Sequence, residues 1–119
     1  MTEPIKVATV GDIDDDEAIV VPGDVNGTGN PIAVFFTEDE YYALDDTCTH
    51  AEASLADGWV EGCEVECPIH AAKFNLCTGQ AMNLPATIPV RTHKVEVRGD
   101  EIWLHPGVPV EGAVLEADQ

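Results

Sequence analysis

The sequence predicts an all-β protein, and three observations lead to this class. Glycine and proline recur along the chain, and the segments between them are short and rich in valine, isoleucine and aromatic residues, which is typical of strands and turns. No segment shows a sustained helical period of apolar residues. Two pairs of apolar segments are separated only by short polar turns, which predicts antiparallel hairpins.

Eight apolar or alternating segments are the candidate strands. In chain order they are "IKVATV" (5–10), "AIVV" (18–21), "PIAVFF" (31–36), "YYAL" (41–44), "EVEC" (64–67), "AKFNL" (72–76), "PVRTHKVEVR" (89–98) and "EIWLH" (101–105).

Two of the connections between these strands predict hairpins. "IAVFFTEDEYYALDD" turns at the acidic Glu38–Glu40, and "HKVEVRGDEIWLH" turns at Gly99-Asp100. In the second hairpin, Val95 and Val97 share one face with His93, and the charged residues between them share the other face. We therefore expect this strand to be half-buried.

Length and charge limit the possible functions. A chain of 119 residues predicts a single domain, 1–119, with one core that buries about two thirds of the unfolded surface. The 23 acidic residues outnumber the 5 basic ones, for a formal net charge of -18. This excess argues against nucleic acid and anionic membranes as partners, because binding either depends on Lys and Arg. Two explanations of the excess stay open. One is solubility alone, and the other is attraction to a partner with a basic surface, whose on-rate such a field can raise by about 10 to 10³-fold.

The cysteine content favours metal binding in the cytoplasm. The first residues, "MTEPIKVATVGDIDDDE", lack the basic start and apolar stretch of a secretory signal. The apolar run "IAVFF" is far shorter than the ~20 residues of a membrane-spanning helix. Without a secretory signal, four cysteines indicate metal ligands more than a disulfide framework.

The chemistry of the chain is concentrated in two short motifs. Cys48-Thr49-His50 is followed, after sixteen residues, by Cys67-Pro68-Ile69-His70. The first motif follows a predicted strand. In the second, strand alternation directs Val65 and Cys67 inward just before Pro68 ends the pairing. Each Cys/His pair is therefore expected on a loop at the end of a strand, where a β scaffold can present a metal site.

Several kinds of metal site do not match this spacing. Structural zinc sites use Cys-x2-4-Cys with His-x3-5-His, and only one residue separates Cys48 from His50. The spacing of Cys48, Cys63, Cys67 and Cys77 differs from that of a plant-type ferredoxin. A Cys-x-x-Cys redox motif is absent, and a two-His, one-carboxylate iron site needs no thiolates. What remains is a [2Fe-2S] cluster with mixed ligands.

The sequence "CTH", sixteen residues, then "CPIH" resembles the Rieske signature, and the similarity extends to "AKFNLCTGQ" and "NLPA", over about residues 5–105. The resemblance implies a Rieske fold, in which small antiparallel sheets form a base and a cluster-binding subdomain of two loops, about residues 46–86, is inserted. It implies one Rieske-type cluster, with the cysteines on the inner iron and the histidines on the outer iron. These ligands are Cys48, His50, Cys67 and His70.

The small size and the lack of an anchor resemble the soluble Rieske-type ferredoxins of bacterial ring-hydroxylating oxygenase systems. The resemblance implies a monomeric, cytoplasmic one-electron carrier and not an enzyme. Such a carrier takes electrons from a flavin-dependent ferredoxin reductase and passes them to a terminal aromatic-ring dioxygenase. The sequence leaves the aromatic substrate open between naphthalene, biphenyl and carbazole.

Four residues depart from the high-potential relatives. Ala53 and Ile69 occupy positions where Rieske proteins of respiratory complexes carry disulfide-forming cysteines, and Ala72 and Phe74 replace a Ser and a Tyr that place hydroxyls near cluster sulfur. Fewer donors to sulfur stabilise the reduced cluster less. The resemblance therefore implies a low potential, near the ~-150 mV end of the Rieske range.

Residues that flank the histidine ligands are the candidate docking surface for partners. They are Glu52, Ala71, Ala72 and Pro85. We expect the other cysteines, Cys63 and Cys77, to be small buried side chains, the other histidines to be structural or exposed, and Trp59 and Trp103 to pack against strands.

Two alternative functions remain at this stage. One is the Rieske-type small subunit of a nitrite reductase, although many of these lack the cluster ligands. The other, of a different class, is a zinc-stabilised interaction module without a redox role.

Overall fold

The computed structural model describes residues 3–48, 53–68, 72–82, 90–108 and 110 of the chain. The elements in chain order are β1 (Ile5–Thr9), β2 (Glu17–Val21), α1 (Gly23–Asn26), β3 (Ile32–Thr37), β4 (Glu40–Asp45), a 3-10 helix (Leu55–Asp57), β5 (Trp59–Glu61), β6 (Glu64–Glu66), β7 (Lys73–Asn75), β8 (Thr92–Arg98) and β9 (Glu101–His105).

Within the described residues, the strands form two antiparallel sheets. The large sheet has six strands in the order β1-β9-β8-β4-β3-β2, and the small sheet has three in the order β5-β6-β7. The halves of the large sheet meet at a short contact between β4 and β8, where Ala43 pairs with His93 and Leu44 with Thr92. The all-β prediction is confirmed, and each of the eight candidate segments contains a strand.

Both predicted hairpins form at the expected turns. Between β3 and β4, Glu38 and Asp39 have φ of 51° and 64°, the two positive values of a type I′ turn. Between β8 and β9, Gly99 has φ of 64°. The half-buried pattern of β8 holds for His93 and Val95 but not for Val97, which is 47% exposed. This part of the hairpin extends beyond the core.

Three short elements were not predicted. They are β5, the four-residue helix α1 and the 3-10 helix. Each has three or four residues and lies in a sequence without apolar-polar alternation. The strands β6 and β7 are as short, but they lie in the alternating segments "EVEC" and "AKFNL".

In the part of the chain that the structure describes, the apolar side chains form two cores on opposite faces of β3. The loop-side core consists of Ala33, Phe35, Leu44, Cys48, Leu55, Val65, Cys67, Ala72, Phe74, Leu76 and Val90. The far core consists of Ala8, Ile13, Val21, Ile32, Val34, Ala43, Ile102 and Leu104. Because β3 is covered on both sides, its sequence is a continuous apolar run and does not alternate.

The small sheet rests on the loop-side face of β3 and β4, and a buried threonine links the two sheets. The Thr37 hydroxyl lies 2.6 Å from Asp16 Oδ1 and 3.2 Å from the carbonyl oxygen of Gly62. Gly62 is at the turn between β5 and β6. The contact fixes the tip of this hairpin against the end of β3.

Candidate metal centre

Cys48 and Cys67 are both buried and both belong to the loop-side core. Cys48 lies three residues beyond the end of β4 and is 3% exposed, and Cys67 directly follows β6 and is fully buried. Val65 is also fully buried, while Glu64 and Glu66 are half-buried. The alternation predicted for this strand therefore directs Cys67 into the core.

The two cysteines begin loops that are closed in the same way. The Cys48 amide N–H donates to the carbonyl oxygen of Ala53 at 2.9 Å, and the Cys67 amide N–H donates to that of Ala72 at 2.6 Å. In both cases the acceptor lies five residues beyond the cysteine. We call these segments, residues 48–53 and 67–72, the first and second ligand loops. His50 and His70 fall within them and lie outside the described residues.

Asp46 supports the base of the first ligand loop. Its side chain is almost fully buried, and its Oδ1 accepts hydrogen bonds from Ser54 Oγ at 2.8 Å and from the Ala56 amide at 2.9 Å. Its backbone oxygen accepts a third from the Leu55 amide at 2.7 Å. One residue therefore holds the chain that leaves the loop against the strand that enters it. No local signal in the sequence indicates this role, because the partners lie eight to ten residues away.

The neighbouring Asp45 ties the end of β4 to β8. His93 is buried, and its Nδ1 accepts from the Gly107 amide at 2.8 Å, so its Nε2 carries the hydrogen that goes to Asp45 Oδ1 at 2.7 Å. Arg91 Nε donates to the other carboxylate oxygen at 2.8 Å. Burial would raise the pKa of the Asp45 carboxyl, but the hydrogen bonds from His93 and Arg91 outweigh it and lower the pKa. His93 is thus structural, as predicted.

Ala72 and Phe74, the two positions compared above with a Ser and a Tyr, carry no hydroxyl. Ala72 and Phe74 are both fully buried in the loop-side core together with Cys67. The prediction that Ala72 contributes to a docking surface is therefore wrong. Ala72 is fully buried although it is only two residues from His70 along the chain. Glu52, Ala71 and Pro85 lie outside the described residues.

The two remaining cysteines are neither fully buried nor isolated. Cys63 occupies the turn between β5 and β6, and its Sγ lies 3.9 Å from the Tyr42 hydroxyl and 3.7 Å from Glu38 Oε1. A hydrogen bond with Cys77, followed by burial, raises the pKa of the Cys63 thiol. Burial, followed by hydrogen bonds to Cys77 and Cys63, raises the pKa of Tyr42. The expectation of two small buried side chains is corrected: both cysteines are half-buried, and they are close to each other.

The tryptophans occupy different positions. Trp59 is 64% exposed on the outer face of the small sheet. Trp103 is partly covered by Arg98, whose guanidinium carbon is 4.7 Å from the ring centroid. The prediction that the tryptophans pack against strands is confirmed for Trp103, through its cation-π contact with Arg98 on β8. The same prediction is wrong for Trp59, which is mostly exposed.

The residues present fit a cluster with two thiolate and two imidazole ligands. Both thiols are shielded from solvent at strand ends, and each is followed by a histidine within a loop that its own backbone closes. Among the residues that the structure describes, no three His, Cys, Asp or Glu side chains gather at one point. Two of the four expected ligands fall outside that part of the chain. None of the described helices is long and apolar enough to cross a membrane.

The chain is similar to proteins of one known family. The Rieske [2Fe-2S] domain family matches residues 3–94. The ferredoxin component of the naphthalene 1,2-dioxygenase system of Pseudomonas aeruginosa is 40% identical over 85 residues, which cover 69% of this chain and 82% of that protein. The 3-phenylpropionate/cinnamic acid dioxygenase ferredoxin subunit of Shigella boydii serotype 4 (strain Sb227) is 41% identical over 101 residues, which cover 84% of this chain and 91% of that protein.

A solved structure shows the same fold. It is the complex of reduced oxygenase and oxidized ferredoxin in carbazole 1,9a-dioxygenase, in which the matched chain superposes with a TM-score of 0.82 at 34% identity. The match covers 91% of this chain and 97% of the other. The match therefore extends over most of the chain.

Proposed function

We propose which residues bind the single cluster of this chain and which partners it serves. The chain belongs to the Rieske [2Fe-2S] domain family. It is a ferredoxin, an electron carrier and not an enzyme in itself. The proposed ligands are Cys48, His50, Cys67 and His70. We assign them to one domain, 1–119, with a cluster-binding subdomain over about residues 46–86 that includes the small sheet. The observation that carries the proposal is the pair of buried cysteines, each at the start of a loop with the same closure.

The ligand set determines the charge of the site. When bound, the cluster supplies a centre that accepts and returns one electron. Two thiolates balance the charge of the oxidised iron and sulfide, and the neutral imidazoles add no charge. The site therefore lacks the two further negative charges that a second pair of thiolates gives to an all-cysteine cluster. The chain contributes by keeping water away from the thiolates and by fixing the loop ends with backbone hydrogen bonds.

We propose a low reduction potential for the same site. Phe74 and Ala72 are buried beside Cys67 and have no hydroxyl to donate to sulfur, so the additional negative charge of the reduced cluster is less stabilised. We expect a value near the ~-150 mV end of the Rieske range, and a redox titration that gave more than about +100 mV would overturn this part of the proposal.

Spectroscopy and one pair of variants test the ligands. The purified protein should be coloured and, when reduced, give the electron paramagnetic resonance signal of a Rieske cluster. A colourless, zinc-containing protein would support an interaction module instead. His70→Ala should lose the cluster and keep the sheets in circular dichroism, while the matched change His105→Ala should keep both. His105 lies on β9 and bonds to Glu96 at 3.1 Å.

The proposed partners are a flavin-dependent ferredoxin reductase, which donates the electron, and a terminal aromatic-ring dioxygenase, which accepts it. The naphthalene and phenylpropionate relatives are ferredoxin parts of dioxygenase systems, and the carbazole structure contains a ferredoxin with its oxygenase. We propose that the chain works as a monomer in the cytoplasm and docks transiently, with Glu52, Ala71 and Pro85 near the contact. The full ligand set of this chain favours this function over a nitrite reductase small subunit.

Salt dependence tests how these partners meet. A net charge of -18 should speed the encounter with a basic docking surface, and salt screens this attraction beyond a Debye length of about 10 Å at 0.1 M. In a reconstituted assay with reductase and oxygenase, the rate of electron transfer should fall as salt is raised. A rate that does not change with salt would refute the steering role of the charge. The same assay with different aromatic substrates would identify the system.

A further inference from the structure

Cys63 and Cys77 flank the second ligand loop. The chain between them contains Cys67 and His70, two of the proposed cluster ligands. Neither Cys63 nor Cys77 is a proposed ligand, and both thiols are half-buried, in contrast to the buried Cys48 and Cys67. Two accessible cysteines therefore stand on either side of the segment that holds half of the site.

The β-ladder brings the two cysteines together. On β6 and β7, Glu64 pairs with Asn75, and the ladder continues by one step because the Leu76 amide donates to the Cys63 carbonyl oxygen at 2.6 Å. Leu76 therefore lies opposite Cys63, and Cys77 is the next residue, in the turn that follows β7. Opposed residues have Cα atoms about 4.5–5.5 Å apart. The ladder thus brings the chain at Cys77 close to Cys63, and the turn sets the Cα distance that a disulfide must span, about 4.4–6.8 Å.

A side chain fixes the position of Cys77. The Asn75 Oδ1 accepts hydrogen bonds from the amides of Cys77 at 2.8 Å and Thr78 at 3.1 Å. The resulting turn places Cys77 beside Tyr42 in one surface cavity, and the Tyr42 hydroxyl lies 3.9 Å from Cys63 Sγ. Tyr42 belongs to β4 of the large sheet, so groups from both sheets surround the pair.

We propose that Cys63 and Cys77 form a reversible disulfide that closes the second ligand loop at its base. The oxidant is a disulfide of a small thiol such as glutathione. One cysteine thiolate attacks it, which releases one small thiol and leaves a mixed disulfide on the protein. The other cysteine then displaces the second small thiol. The protein loses two electrons and two protons, and the small disulfide gains them as it becomes two thiols.

The bond would retain the cluster under oxidising conditions. It closes a loop of 15 residues, counted from Cys63 to Cys77, and so limits how far the segment with Cys67 and His70 can open. We expect bleaching of the cluster in urea to slow by about tenfold. The slower bleaching depends on the proposed function, in which Cys67 and His70 bind the cluster, whereas the formation of the disulfide does not. It differs from the disulfide of the respiratory Rieske proteins, which joins the two loops at the positions of Ala53 and Ile69.

The test uses the cluster-loaded protein and oxidised glutathione. After incubation, free thiols are alkylated in denaturant and the protein is digested and analysed by mass spectrometry. The expected product is a peptide pair linked through Cys63 and Cys77, which dithiothreitol separates. Cys63→Ser and Cys77→Ser should each carry one glutathione instead. Because both single variants are read out, the test does not depend on the folding of either one.

The results separate the two parts of the inference. If Cys63 and Cys77 were both alkylated after incubation, or both carried glutathione without a link between them, the disulfide would be refuted. A link without slower bleaching would refute the retention of the cluster and leave the disulfide standing. If the purified protein contained no cluster, the proposed function would fail, and the formation of the link would still decide the disulfide.

Discussion

Replacing Asp46 with alanine should loosen the first ligand loop at its base. The change removes the acceptor for Ser54 Oγ and for the Ala56 amide, at a site where only 6% of Asp46 is exposed. Hydrogen bonds to carboxylates contribute about 1.5–3 kcal/mol each, and an amide left without a partner adds a desolvation cost. Since Ser54 and Ala56 are half-buried and water can reach them in part, we expect a loss of about 2–4 kcal/mol in the free energy of unfolding.

Urea unfolding followed by circular dichroism measures this loss, and the visible absorption of the cluster reports the loop in parallel. Asp46→Asn keeps a carbonyl oxygen as the acceptor and should cost about 1 kcal/mol or less. Asp15→Ala, at an exposed carboxylate, is the matched control and should change stability by no more than about 0.5 kcal/mol. If Asp46→Ala behaved like this control, Asp46 would not hold the loop, and the reasoning from its hydrogen bonds would be refuted.

Three further changes test other parts of the molecule. Asp45→Asn should destabilise the fold above about pH 4 and less so below it. Burial opposes ionisation of the Asp45 carboxyl, but two hydrogen bonds lower its pKa. The stability that this lowered pKa gives is lost as the pH falls through the pKa of the folded protein. Urea unfolding at several pH values measures the effect, and a difference in the free energy of unfolding between variant and wild type that does not change with pH would contradict it. Gly58→Ala should lower the free energy of unfolding by about 2–3 kcal/mol, since a Cβ there meets the Glu66 carbonyl oxygen. Gly62→Ala, in open space at positive φ, should lower it by about 1–2 kcal/mol. Equal losses in the two variants would exclude the clash at Gly58. Phe74→Tyr should raise the reduction potential in a redox titration by adding a donor beside Cys67, and a lower potential would exclude that role.

The strands of the large sheet could be predicted because each carries its own signal. Apolar runs of five or more residues bounded by turns identified β3, and the acidic turn at Glu38–Glu40 identified its hairpin. The strand β5 could not be found in this way, since three residues with an exposed Trp59 carry no pattern. It forms because Gly58 allows the chain to lie directly against β6.

The cysteine ligands were predictable, but their surroundings were not. The alternation before Cys67 is a local property of the sequence, whereas the role of Asp46 depends on a contact that exists only once the loop has formed. The proximity of Cys63 and Cys77 likewise depends on the register of β6 and β7. Ala72 lies two residues from His70 along the chain, which predicts a place on the surface beside that ligand, but its side chain is buried in the loop-side core.

The closure of both ligand loops by their own backbone bears on how the protein matures. Each loop is joined at its base by a hydrogen bond from the amide of Cys48 or Cys67, and neither bond involves a thiol. In zinc fingers, by contrast, the metal itself provides the free energy of folding. We therefore expect the scaffold to form first and the cluster to be inserted into loops whose ends are already set, so that a delivery system can act on a folded chain.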